Sequence, residues 1–127
     1  SFRFEEVEHT ADAALRVRGE NFGDLMKNAA EGMASLLCDR NDATESAGRR
    51  SIKVEAEDAE GLLVEWLSEL AYFAETESEV YDACEFEKIS RTRLKASVRS
   101  KKAHELKVHI KAVTYHNLKI IETETGF

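Results

Sequence analysis

The chain has 127 residues, 18 basic against 25 acidic for a formal charge of −7, two cysteines and no proline. That length suits one domain with an unstapled core, and 43% hydrophobic residues exclude a disordered chain. No apolar run nears the ~20 residues of a membrane-spanning helix, no secretory leader is expected, and two cysteines make no disulfide framework, so Cys38 and Cys84 read as reduced, buried thiols of a cytoplasmic protein.

Phe2–Val7 begins with alternation and reads as a strand. Ala13, Leu15 and Val17 alternate with Ala14, Arg16 and Arg18, a second strand that Gly19 ends. The period then changes. Asn21 is suited to cap a helix, with Asp24 near the positive end of its dipole. Leu25, Met26, Ala29, Ala30, Met33, Leu36 and Leu37 form its apolar stripe, which runs to about Cys38. The polar stretch 39–48 is expected to be a loop, and Ile52, Val54 and Ala56 alternate as a third strand.

Asp58 is placed to cap a second helix, whose wide face comprises Leu62, Leu63, Trp66, Leu67, Leu70, Phe73 and Ala74. So broad a stripe fits packing on a sheet, with Trp66 in the core. Val80–Ile89 is the least regular of the strands that follow. In the segment 91–101 the odd positions Arg91, Arg93, Lys95, Ser97, Arg99 and Lys101 make one nearly cationic face, while Leu94, Ala96 and Val98 point the other way. His104–Val113 alternates again, and Leu118, Ile120 and Ile121 begin a last strand. The order β-β-α-β-α-β-β-β-β predicts one α+β domain, a mostly antiparallel β-sheet with two α-helices packed on one face.

The charge is unevenly spread. Residues 88–111 hold nine lysines and arginines against Glu105 alone, while residues 1–87 are strongly acidic. A solvated strand face and a phosphate-facing surface both fit the basic block. An acidic whole protein opposes tight, autonomous nucleic-acid binding, which rests on neutralised phosphates.

Scans for chemistry find no glycine-rich phosphate cradle, no closed zinc spacing and no nucleophile elbow. Two short segments are richer. His9-Thr10-Ala11-Asp12 puts an imidazole, a hydroxyl and a carboxylate between two strands. A turn in which Asp12 bonds its own backbone explains it, and so does a carboxylate offered to a hard cation, although Asp12 alone cannot hold one. Lys111-Ala112-Val113-Thr114-Tyr115-His116 gathers four polar side chains at a strand end, as a plain sheet edge also would.

These segments resemble the archease family, small cytosolic proteins that assist RtcB-type tRNA-splicing RNA ligase. The matching stretches are Glu8-His9-Thr10-Ala11-Asp12, Ala29-Ala30-Glu31-Gly32-Met33, Leu62-Leu63-Val64-Glu65-Trp66-Leu67 and Ile110-Lys111-Ala112-Val113-Thr114-Tyr115-His116-Asn117-Leu118, in family order over nearly the whole chain. The resemblance implies a non-enzymatic activator that promotes ligase guanylylation and multiple turnover in tRNA splicing, meeting tRNA only through the ligase. It implies a divalent metal (Ca²⁺, Mg²⁺ or Mn²⁺) at Asp12, with Lys111 close by, in a tip that also carries His9 and His116. The family's second carboxylate, near the C-terminus, has no counterpart before Phe127, so a C-terminal strand is expected to be lacking here and metal binding to be weak or absent. Arg91, Arg93, Lys95, Arg99 and Lys101 would then face the ligase or RNA. The competing readings are a stand-alone RNA-binding module using the basic strand 91–101, and a small enzyme using His9, Asp12 and His116. The second has no nucleophile beside them.

Overall fold

The computed structural model describes residues 4–7, 14–17, 19–38, 45–103 and 106. Their order is β1 (Phe4–Val7), β2 (Ala14–Val17), α1 (Phe22–Leu37), β3 (Glu45–Glu55), α2 (Ala59–Glu77), β4 (Glu79–Ile89) and β5 (Arg93–Lys102). This is the α+β class and the element order expected from periodicity, as far as Lys102. The two strands anticipated beyond it fall outside the described residues, apart from Leu106, which packs half-buried against the core.

The helices start where their caps require. The Asn21 side-chain oxygen accepts from the Asp24 amide at 2.8 Å, and the Asp58 carboxylate accepts from the Gly61 amide at 2.7 Å. Each bond satisfies an amide that the first turn leaves without a helical partner. The chain approaches α1 through Gly19, where an added Cβ would lie 2.4 Å from the Leu25 backbone nitrogen. No side chain fits there unless the backbone moves. At the other end of α2, Ser78 takes a left-handed conformation (φ 54°) and donates its amide to the Ala74 carbonyl.

Among the described residues the strands form two antiparallel groups, a β1-β2 ladder and a three-stranded sheet in the order β3-β5-β4. The turn that joins β4 to β5 is held by Ser90, whose amide donates to the Arg93 carbonyl at 2.8 Å and whose hydroxyl accepts from the Arg93 amide. β3 begins earlier than expected, at Glu45 inside the predicted loop. Long-range pairing overrides local composition here: Glu45 and Ser46 lie opposite Lys102 and Lys101, and the register slips before Gly48. Gly48 has φ +107°, a conformation that only glycine adopts cheaply.

Both helices cover one face of the three-stranded sheet, and α1 also touches β1 and β2. Leu94, Ala96 and Val98 of β5 and Ile52 and Val54 of β3 meet Met26, Met33, Leu62, Trp66 and Leu70 in the core. Trp66 is fully buried, with its indole ring 5.9 Å from Phe86 and its Nε1–H donating to the Met26 carbonyl at 2.9 Å. Cys38 is buried, Cys84 is half-buried, and they form no disulfide. No helix among the described residues is long and apolar enough to cross a membrane.

Candidate functional site

The four residues of the expected tip, His9, Asp12, Lys111 and His116, lie outside the described residues. What the fold adds is the setting of the first two. β1 and β2 are antiparallel partners with Val7 opposite Ala14, and the chain that connects them carries His9 and Asp12. Among the described residues, no three His, Cys, Asp or Glu side chains converge to hold a metal ion. A crevice between α1, α2 and β4, lined by Met33, Leu37, Leu70 and Tyr81, has room for about one water. That is far below what a small-molecule substrate needs.

The basic strand is described in full. Its alternation is as expected, with Arg93, Lys95 and Arg99 exposed, Lys101 half-exposed, and Leu94, Ala96, Val98 and Ser100 buried. Arg91 is an exception. The turn at Ser90 delays the strand to Arg93, which leaves Arg91 off the ladder with its guanidinium 5.6 Å from the Phe22 ring centroid. The face is also less uniform than the strand alone implies, because its neighbours bring carboxylates. Glu55 lies 3.5 Å from Arg93, and Glu87 lies 3.3 Å from Lys95. These pairs are exposed and hold little energy.

Pairing also brings in cations that sequence reasoning did not assign. Arg49 stands opposite Arg99, and Lys53 stands opposite Lys95. Arg49 donates to the Ser97 hydroxyl at 3.3 Å and reaches Glu85 at 3.9 Å. Arg49, Ser51 and Lys53 share the outward side of β3, and all three are exposed. Their alternation is visible in the sequence, but their register with β5 is not.

A second polar cluster lies on the covered side of the sheet. Arg50 points inward, stacks over the Phe73 ring at 3.9 Å, and donates from Nη2 to both Glu79 oxygens, at 2.9 and 3.3 Å. Glu79 is only 5% exposed, so this pair is the main compensation for its buried charge. The Tyr81 hydroxyl is buried beside the pair without a well-aligned hydrogen bond to any described residue. Burial first, and then the Glu79 charge, push its pKa well above the ordinary tyrosine value, against the opposing pull of Arg50. The cluster ties β3 to β4 and α2, and its environment is that of a structural pair.

Comparisons with known proteins follow the same chain course. A family model described as the Archease protein family (MTH1598/TM1083) matches residues 4–127. The protein archease of Pyrococcus abyssi is 36% identical over 135 residues, covering 98% of this chain and 92% of its own length. That of Methanopyrus kandleri is 33% identical over 130 residues, covering 97% and 91%. The solution structure of Methanobacterium thermoautotrophicum protein 1598 is similar with a TM-score of 0.75 at 26% identity, covering 97% of this chain and 91% of that one.

Proposed function

This chain belongs to the archease family, and from that membership we propose that it is a protein cofactor of an RtcB-type RNA ligase in tRNA splicing and RNA repair. The reading is carried by the family match over residues 4–127. The ligase then holds the reacting histidine, and this cytoplasmic partner promotes guanylylation and repeated turnover.

In this reading Asp12 and Lys111 are the working pair. Asp12 offers carboxylate oxygens of the kind a hard divalent cation takes. When bound, such a cation neutralises polyphosphate charge. Lys111 offers a phosphate a compact positive charge. His9 and His116 accompany them in sequence and are assigned to the same tip. The test is guanylylation of the ligase with GTP and a divalent metal, using wild-type and Asp12→Ala protein. The variant is expected to fold normally and lose at least tenfold of the stimulation. Full stimulation by a folded Asp12→Ala protein overturns the role of Asp12.

A further inference from the structure

The outward face of the three-stranded sheet concentrates cations at a cost to the fold. Two like-charge pairs stand directly opposite one another across β3 and β5, Arg49 with Arg99 and Lys53 with Lys95. Lys88 of β4 stands opposite Lys95 from the other side. Directly opposed like charges destabilise an antiparallel ladder. Adding Arg93 and Lys101, seven cations share the face with three carboxylates among the described side chains, Glu55, Glu85 and Glu87. Among the described residues Lys53 has no carboxylate partner, although it is exposed. Successive outward side chains on one strand are about 7 Å apart, and adjacent strands about 5 Å. The result is a two-dimensional grid of positive charge.

We propose that this face is a sequence-independent contact surface for an RNA phosphate backbone. Composition separates that partner from a protein. Protein interfaces have a core enriched in aromatic residues and depleted in Lys and Glu, whereas the described side chains of this face are Lys, Arg, Ser and Glu beside Ala83, with no exposed ring among them. Phosphate contacts draw on the side chains it does have: Arg, Lys and the hydroxyls of Ser51 and Ser97. The lack of aromatics also removes base stacking, so affinity comes from the backbone alone. The overall charge of −7 keeps that affinity low, and reliance on phosphate contacts makes it strongly dependent on salt. The choice of RNA over other phosphodiesters rests on the ligase reading above, but the charge grid does not.

The experiment is anisotropy of a fluorescently labelled RNA hairpin titrated with the full chain, without ligase, from about 50 to 200 mM salt. Wild-type protein is expected to bind at low salt with an affinity that falls steeply as salt rises. The triple variant Arg49→Ala/Lys53→Ala/Arg99→Ala should bind at least tenfold more weakly, with a log–log salt slope shallower by about two. Lys27→Ala, an exposed cation on α1 away from the sheet, should bind as wild type does. Because the triple variant removes an opposed pair, its thermal midpoint should hold or rise, which separates lost contact from lost fold. Absent binding by wild type, or equal binding by the triple variant, overturns the proposal. A triple variant that keeps RNA affinity but no longer stimulates ligase assigns the face to the protein partner instead, and also overturns it. RNA binding that survives while ligase stimulation is absent would overturn the ligase reading and leave this surface standing.

Discussion

Single residues in this chain are explained by what they touch more than by their type. Tyr81 is the clearest case. Its hydroxyl is buried beside a charged pair, so the folded protein holds the phenolic proton to higher pH than the unfolded chain does. The unfolded tyrosine titrates near pH 10. Below that, both states keep the proton and the group adds no pH dependence. As pH rises past it, the unfolded chain releases a proton that the folded one keeps, and stability falls. Because it removes a buried hydroxyl that lacks a well-aligned partner, Tyr81→Phe should stabilise the protein at pH 8 by about 1 kcal/mol, and should soften the loss between pH 8 and 10.5. Urea midpoints at the two pH values measure both effects, and an equal alkaline loss in the variant contradicts this account. The sequence could not have announced this position. Tyr81 sits in the least regular of the strands after the second helix, and Arg50 reaches it and Glu79 from β3, far back in the sequence. The same holds for Arg50, which reads as one more surface cation until Phe73 and Glu79 are placed around it.

At the scale of elements, local chemistry was a good guide wherever a single helix or strand decides its own limits. Asn21 and Asp58 cap the helices they were expected to cap, because a capping bond needs only three residues of chain. Alternation on β5 was legible for the same reason, since one strand has two faces whatever its partners. Local signals misled where pairing decides. Glu45–Gly48 looks like loop and is strand, because Lys101 and Lys102 pair with its start. Arg91 looks like strand and is turn, because Ser90 closes the β4–β5 hairpin. One element boundary invites improvement. Ser78 ends α2 with φ 54°, a region that costs residues with a Cβ about 1–2 kcal/mol. Ser78→Gly relieves that cost but adds unfolded-state entropy, and should stabilise the fold by up to about 1 kcal/mol. The thermal midpoint should rise by a few degrees, and a lower midpoint contradicts the assignment of Ser78 as a left-handed cap. The backbone bond from Ala103 to the Ser78 carbonyl is unaffected by the change.

At the scale of the whole molecule, the sequence and the fold divide the explanation. The α+β class follows from periodicity, and family membership from four short motifs in order. The motif residues expected to act, Asp12 and Lys111, were legible only through the resemblance, since a turn with one carboxylate and a strand end with one lysine are common in any domain. The cationic face was half legible: β5 displayed its charges, whereas Arg49 and Lys53 joined it only through the β3–β5 register. Together these features describe an acidic chain with a cationic sheet face and two helices whose buried faces cover the other side of that sheet. On the proposed reading, this chain lets an RNA ligase turn over. The measurement is joining of a cognate RNA by an RtcB-type ligase with GTP and a divalent metal, counted as products per ligase with and without this protein. Many products per ligase in its presence, and about one in its absence, is the predicted result. The same product count in both reactions, at protein concentrations well above that of the ligase, would contradict the account.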